Sequence, residues 1–583
     1  MNANLILRAM TLRGIGSYLH GSRLEFRPLT ILCGTNGSGK SSWFNALNSL
    51  KDSLKRDPAF PMTCQNNMVS VQELDNTNSA VVLLEANDSS ASFFDKLYED
   101  EFGPPCTIGL QFEATTDFAL QKVVQGDATN VAKLQDFFWQ GKCNQGTTFR
   151  VRIAHPSHWA EGDGGIPGLW HFVELQIDDQ FIVRFKGRGF FGASEDDLYL
   201  VECSAGFLPQ MSGVDSENLI EIGTYRQSSD EVRPTAGILD EEDARLFINA
   251  ACLRIRELLK MLLDGMFYIS AIRKPYLHSG SEPDALQLSI SEYEDKEKFS
   301  EESALIDSRN VGSEGQNAWF LESYFALNHM RVTDPTRPWM MGTIRFEGYI
   351  SRWTETLLNT NVVLGEDDVV EKELSDRYPA IQTGFLKQEK PDLDQLKRYY
   401  GDYSVPNAWD EGKLLHPCFP TQPQIPRLMS SGFHQLFPLI VQAGLMRRFE
   451  LMAVENPEVH LHPGLQLRIA NFLIEHAKAG KWIIIETHSD LIIRRVLRAI
   501  LEEQIGQAEV QICFADIEKS EKQYQSFHKR VFFYHYSTLT PMEIDEQGRI
   551  KNWPRGFLDD DVKESQRLME IMYPPPPDDR EEE

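Results

Sequence analysis

Gly34-Thr35-Asn36-Gly37-Ser38-Gly39-Lys40-Ser41 is the stretch whose reading decides the fold of this chain. It fits G-x-x-x-x-G-K-[ST] in full. The apolar run Leu29-Thr30-Ile31-Leu32 precedes it as a short buried strand, and the following pattern predicts a helix from about Lys40 to Leu54. Glycines let successive backbone N–H groups converge on phosphate oxygens with no Cβ in the way. The helix adds the positive end of its dipole. Lys40 is placed to reach the β- and γ-phosphates of a nucleoside triphosphate, and Ser41 offers its hydroxyl to Mg2+. Gly34, Asn36, Gly37, Gly39, Lys40, Ser41 and Ser42 are therefore the candidate phosphate-binding residues.

Working outward, Leu5-Ile6-Leu7 and Met10-Thr11-Leu12 read as a strand pair, with a glycine-containing turn near Gly14 and Gly16 and a further strand at Leu24-Glu25-Phe26. The middle of the chain mixes strand-like runs (Ile108 to Phe112, Phe149 to Ile153, Phe181 to Phe185) with helix-like runs (Glu241 to Leu263, Ala318 to Met330). It shows no heptad run and no internal repeat. Ser279 to Asn317 turns polar, with Ser291 to Glu297 reading as a solvated loop or insertion, and Tyr403 to Pro426 is a second, proline-rich loop. The last third regains pattern. Phe449 to Val454 is a strand ending at Glu455, Leu465 to Ala479 an amphipathic helix stopped by Gly480, and Trp482 to Ile485 the next buried strand. Alternation of this kind predicts a parallel sheet and an α/β fold.

Three further stretches carry chemistry. Glu455-Asn456-Pro457-Glu458-Val459-His460-Leu461-His462-Pro463 follows the apolar strand directly. An acid at a strand end can hold the water shell of Mg2+ beside the phosphate loop, the role expected of Glu455, and Glu458 could orient the attacking water. His460 and His462 have a spacing found in metal sites but no third ligand nearby, so His462 reads as a structural or interface residue. Glu486-Thr487-His488-Ser489-Asp490 follows the next strand; His488 could hydrogen-bond the γ-phosphate, while Ser489 or Asp490 could simply cap the next helix. Finally, Leu428-Met429-Ser430-Ser431-Gly432-Phe433-His434-Gln435 opens an apolar helix running through Leu445, and small residues at a helix start favour an anion.

These four stretches, in this order, resemble the ATPase heads of the ABC and SMC class. More narrowly, Glu-Asn-Pro-Glu-x-His-Leu-His-Pro and Glu-Thr-His-Ser resemble the bacterial AAA-type ATPases related to the overcoming-lysogenisation-defect nucleases, many of which belong to antiphage systems. The segment Ile544 to Phe557 is similar to the closing motif of one branch of that group. The resemblance covers roughly residues 1–50 and 425–560, and is loose in the middle, at Tyr268 to Pro275 and Gly312 to Asn317. It implies a split ABC/SMC-type head with a large mixed α+β insertion: a first half over residues 1–60, an insertion and regulatory region over 61–420, a second half over 421–560, and an acidic, proline-rich tail over 561–583.

The resemblance also assigns roles. Gly34 to Ser41 becomes the Walker A loop, Glu455 closes Walker B, and His488 is the switch histidine. Ser430, Ser431 and Gly432 become a signature motif that contacts ATP bound by the other subunit. Catalysis would rest on Glu455, Glu458 and His488, and Mg2+ on Ser41 and Glu455. The heads would form a homo-dimer or higher assembly on ATP. A separate effector, a nuclease or toxin, would be the controlled partner, and an SMC-like ATPase that clamps DNA is the alternative. The chain departs from the pattern at Asn456, where many such heads keep a catalytic glutamate; an amide positions water but takes no proton. Either Glu458 substitutes or ATP acts mainly as a slow clamp. About 90 residues follow His488, a short stretch for an added nuclease domain, and Asp516, Glu518 and Glu521 form no convincing metal set.

Composition sets the outer bounds. The chain has 583 residues, 42% hydrophobic and 25% charged, as expected of a folded protein of several domain lengths. Its formal charge of −28 argues against a surface wrapped in nucleic acid, though not against a local basic channel. Eight cysteines without a C-x-x-C pair read as free thiols of a reducing cytosol. No apolar run reaches the ~18 residues of a membrane span. A compact transporter subunit is a poor match to so long an insertion, and a scaffold with inactive ATP sites is the reading that Asn456 keeps open.

Overall fold

The computed structural model describes residues 4–18, 20–56, 106–122, 133–155, 170–188, 198–204, 219–226, 241–273, 309–318, 321, 325, 330–333, 335, 343–358, 363–364, 417–418, 431–525, 531–545, 550–552 and 559–572. Two large sheets organise them. The first has eight antiparallel strands: β1 (Leu5–Arg13), β2 (Ser22–Glu25), β4 (Cys106–Ala114), β5 (Thr148–His155), β6 (Trp170–Ile177), β7 (Gln180–Arg188), β8 (Leu198–Ser204) and β9 (Leu219–Arg226), in the order β9-β8-β7-β6-β5-β4-β1-β2. The second has six: β3 (Leu29–Gly34), β10 (Met266–Ile269), β11 (Leu451–Glu455), β12 (Trp482–Glu486), β13 (Val510–Gln525) and β14 (Val531–Pro541), in the order β10-β11-β12-β3-β13-β14. The first five of these are parallel and β14 returns antiparallel on β13.

The two sheets explain two kinds of strand sequence. β11 and β12 read Leu-Met-Ala-Val-Glu and Trp-Ile-Ile-Ile-Glu because both faces of the six-stranded sheet are covered. Leu451, Ala453, Trp482 and Ile484 join a core shared with β1, β4 to β7 and the helices α1 (Lys40–Arg56), α2 (Lys133–Gln140) and α3 (Glu241–Asp264). Met452, Val454, Ile483 and Ile485 face a second core with α4 (Phe346–Leu358), α5 (Ser431–Leu445), α6 (Pro463–Lys478) and α7 (Asp490–Leu501). In the antiparallel sheet, β5 alternates: Phe149, Val151 and Ile153 are buried while Arg150 is exposed.

The α/β architecture expected from the sequence is the one observed. Several details differ. Leu5 to Arg13 is one strand with a bulge between Leu7 and Ala9, not two strands. Helix α6 starts at Pro463, earlier than the apolar periodicity indicates, because His462 caps it and Pro463 suits the first turn. The region from 61 to 420 is not wholly separate from the head: Met266–Ile269 forms an edge strand of the parallel sheet, and β1 and β2 sit in the antiparallel sheet with strands from that region. Ser291 to Glu297 lie outside the described residues, and the described end of the polar stretch is partly buried. Val311 is buried, and Arg309 donates to both carboxylate oxygens of Glu450 at 2.7 and 3.2 Å and to the Leu445 carbonyl at 2.7 Å. The Tyr403–Pro426 loop, the rest of the polar stretch, most of Ala318 to Met330 and the tail after Met572 lie largely outside the described residues. No described helix is long and apolar enough to cross a membrane.

Candidate nucleotide site

β3 delivers the glycine-rich loop to the end of the parallel sheet. Gly34 has φ +139°, and a Cβ there would lie 2.0 Å from the Ala515 carbonyl oxygen on β13. Gly39 has φ +79°, and its Cβ would meet Ser17 Oγ at 2.4 Å. Neither position tolerates a side chain, so the two glycines fix where the loop leaves the strand and where α1 begins. Between them Ser38 Oγ donates to the Thr35 carbonyl at 2.8 Å, and Thr35, Asn36 and Gly37 stay exposed.

Lys40 is only 3% exposed. Its Nζ folds back onto the loop, donating to the carbonyls of Thr35 (2.7 Å) and Gly34 (3.3 Å) and to Ser38 Oγ (3.4 Å). The loop carbonyls hold the ammonium at the place its own turn creates. Burial lowers its pKa and the Glu486 carboxylate opposes that fall.

The acids sit on two neighbouring strand ends. β11 and β12 are in register so that Glu455 lies beside Glu486. Ser41 Oγ donates to Glu486 Oε2 at 2.8 Å, which joins the loop helix to the end of β12. Glu455 is held from the other side: it is hydrogen-bonded to the Tyr268 hydroxyl and accepts the Ala271 N–H at 3.4 Å. Glu458 Oε1 accepts the His488 N–H at 2.7 Å, tying the turn after β11 to the turn after β12. Burial raises the pKa of all three carboxylates; for Glu486 the neighbouring Glu455 and Glu458 add to the rise, whereas Arg273 opposes it at Glu455 and Glu458.

The turn between them is strained. Asn456 has φ +42° and His460 φ +62°, both in the left-handed region, while Asn456 N–H donates to the Glu486 carbonyl at 2.8 Å. Asn456 Oδ1 and Glu458 Oε2 are buried without a hydrogen-bond partner. Two unsatisfied acceptors beside a phosphate loop fit a donor-bearing ligand such as a water or a hydrated cation. His488 is exposed, yet partial desolvation, with Lys40 nearby, lowers its pKa, which favours the neutral ring. His462 Nδ1 accepts the Gly464 N–H at 3.1 Å as the cap of α6, the structural role expected of it. Ser489 Oγ accepts the Ile492 N–H at 3.2 Å and caps α7.

α5 begins at Ser431, exposed, with Gly432 half-buried; Ser430 lies outside the described residues. Among the described residues no hydrogen bond joins Ser431 or Gly432 to the loop from Gly34 to Ser42 of the same chain. The structure thus brings Gly34 to Ser42, Glu455, Glu458 and His488 together at one end of the parallel sheet.

Four site residues escaped the sequence reading: Glu486 as the partner of Ser41, and Tyr268, Arg273 and Gln435. A signal existed for the first. Ile483-Ile484-Ile485-Glu486 repeats the apolar-strand-then-acid pattern of Met452-Ala453-Val454-Glu455. For Tyr268 and Arg273 the sign was the loose resemblance over Tyr268 to Pro275, which gave neither residue a role.

Three segments of the chain match known family profiles. Residues 9–56 match a family profile described as "AAA domain". Residues 421–494 match one described as "AAA domain, putative AbiEii toxin, Type IV TA system". Residues 532–568 match one described as "Protein of unknown function (DUF3696)". The chain carries AAA-type ATPase sequence at both ends, and these two segments contain the phosphate loop and all three acids. No curated protein matches. Among solved structures, an SMC head bound to the C-terminal winged-helix domain of ScpA is 11% identical over 93% of this chain and 98% of that one, with a TM-score of 0.33. The SMC head domain from Thermotoga maritima is 9% identical over 92% and 100%, with a TM-score of 0.31.

Proposed function

We propose that this chain binds and hydrolyses ATP and uses the cycle as a molecular switch. The observation that carries the reading is the convergence of a full phosphate loop with three carboxylates on adjoining parallel strand ends. Mg2+ suits the donors at hand: the Ser41 hydroxyl with Glu486 and, one strand over, Glu455, all hard oxygens. When bound, Mg2+ would neutralise charge on the phosphates. The backbone N–H groups of Gly37 to Ser41 cradle the phosphates. Lys40 exchanges its loop carbonyls for phosphate oxygens, and His488 meets the γ-phosphate as a neutral donor. Glu458 is the base: its buried Oε2 is free, and its raised pKa suits a group that takes a proton near neutral pH. Asn456 Oδ1 orients the same water.

Ser430, Ser431 and Gly432 act in trans. Ser431 is exposed at the start of α5, and among the described residues no hydrogen bond joins it to its own phosphate loop; in this reading it serves the ATP of a second head in a homo-dimer. The effect of closure falls on a separate effector, a nuclease or toxin, in a bacterial antiphage system. The sequence motifs and the toxin–antitoxin description of the matched profile support that setting. The site is tested by Lys40→Ala. ATP affinity, measured by calorimetry, should fall roughly 100-fold through loss of charge-assisted contacts. Circular dichroism should stay native. Unchanged binding in a folded variant would remove the assignment.

A further inference from the structure

Arg273 is a buried cation that the ATPase reading leaves unused. It follows β10, is 3% exposed, and reaches two elements at once. Its Nη2 donates to the Glu455 backbone carbonyl at 2.7 Å. Its Nη1 donates to Gln435 Oε1 at 2.9 Å and to the Gln435 carbonyl at 3.4 Å. Gln435 is itself buried, one turn into α5 from Ser431. The guanidinium therefore clamps the helix whose start is offered to the partner head onto the strand end that carries this head's own acids.

The loop that supplies Arg273 is braced as well. Ser270 N–H donates to the Ser313 carbonyl at 2.7 Å, Ser270 Oγ to the Ile272 carbonyl at 2.9 Å, and Ala271 N–H to Glu455. Ile272, between two pinned residues, is 74% exposed, so the loop presents an apolar side chain outward while its backbone grips the acid. Arg273 Nε and Glu458 Oε2 are both buried and unpaired. A planar guanidinium suits such a junction because its donors diverge in a fixed fork, which a lysine ammonium cannot reproduce.

We propose that Arg273 is a positioning residue that couples the partner-facing start of α5 to the acids of its own nucleotide site, so that docking of a second head is transmitted to Glu455 and Glu458. The inference rests on the ATP-switch reading above. Arg273 touches no phosphate in this scheme, so its loss leaves binding of ATP by the isolated head in place and disturbs turnover and ATP-dependent pairing.

The test uses the full chain and four variants: Arg273→Ala, Arg273→Lys, Gln435→Ala and the Ala/Ala double. Calorimetry reads ATP affinity, steady-state kinetics kcat and KM, mass photometry ATP-dependent dimer, and circular dichroism the fold. Arg273→Ala should lower kcat roughly 100-fold, the scale expected for a displacement of about 1 Å at a reacting centre, with ATP affinity nearly unchanged and the ATP-dependent dimer lost. Arg273→Lys should recover part of kcat. Gln435→Ala should lower kcat less, and the double variant should be no worse than Arg273→Ala alone, because both act through one contact. If Arg273→Ala does not fold, Arg273→Lys and Gln435→Ala decide: native kcat and native dimer in folded Gln435→Ala overturn the coupling, as does additivity in the double. Native protein that turns over ATP beside variants that do so equally well overturns this inference alone. Native protein that neither binds nor hydrolyses ATP overturns the ATP-switch reading and this inference with it.

Discussion

The two ends of the strand pair β11–β12 both carry charged residues and have opposite character. At the entry end, Glu450 and Lys481 are both buried, and Arg309 forks onto Glu450 while Lys481 donates to the Ala443 carbonyl. At the exit end, Glu455 and Glu486 stand side by side with the same sign, joined by Glu458 from the following turn. The entry end is charge-compensated and ties a segment of the middle region, Arg309 to Val311, to the head. The exit end gathers three carboxylates at partial burial, and although Arg273 and Lys40 lie near, burial still raises all three pKa values. A protein retains such an arrangement where a ligand completes it. The entry end accordingly reads as architecture, and the exit end as chemistry.

Replacement at the exit end should change activity and leave the fold. The largest effect is expected for Glu458→Gln, which keeps the hydrogen bond to His488 N–H but removes the base: single-turnover hydrolysis should slow by roughly 100- to 10,000-fold with ATP binding retained. A native rate would take Glu458 off the catalytic list, and a raised rate in Asn456→Glu would mark the natural protein as a slow clamp. Next comes Gly432→Asp, which places a carboxylate where a partner's γ-phosphate would arrive; turnover should fall at least ~10-fold through lost charge stabilisation while the variant's own ATP affinity stays near native. Native turnover there would break the trans reading of α5.

The smallest effect belongs to the entry end. Burial pushes the Lys481 pKa down to about 7, with Glu450 opposing the fall. The folded chain therefore releases this proton near pH 7, whereas the unfolded chain keeps it up to the ordinary lysine range. Between those values the unfolded state binds more protons, so stability contributed at this site rises as pH rises and is reduced at and below pH 7. Urea unfolding of native protein and Lys481→Met at pH 7 and pH 9 should show native gaining on the variant by about 2 kcal/mol. Equal pH dependence in the two would mean that Lys481 stays charged in the fold. ATPase activity of Lys481→Met should follow its folded fraction.

The sequence made the parallel sheet legible because both of its faces are buried, which writes its strands as plain apolar runs ended by Gly34, Glu455 and the Glu486 turn. The phosphate loop was legible for the same local reason, since its geometry is satisfied within a few consecutive residues. What the sequence did not disclose are facts about neighbours distant in the chain. Ser41 and Glu486 are 445 positions apart, and Arg273 meets Gln435 across 162; no local pattern encodes either pairing. The motif places Lys40 at the loop but does not show that the loop's own carbonyls bury it.

The contrast between Glu455 and Glu486 bears most directly on the claim that the exit end is a metal-assisted nucleotide site. Both lie at the same register, yet only Glu486 touches Ser41, while Glu455 is occupied by Tyr268 and Ala271 N–H. The deciding measurement is the Mg2+ dependence of ATP turnover in native protein, Glu486→Gln and Glu455→Gln. The account predicts that both variants need more Mg2+ for half-maximal rate, with Glu486→Gln shifted further, by roughly 10- to 100-fold. A Glu486→Gln curve superimposable on native would contradict it.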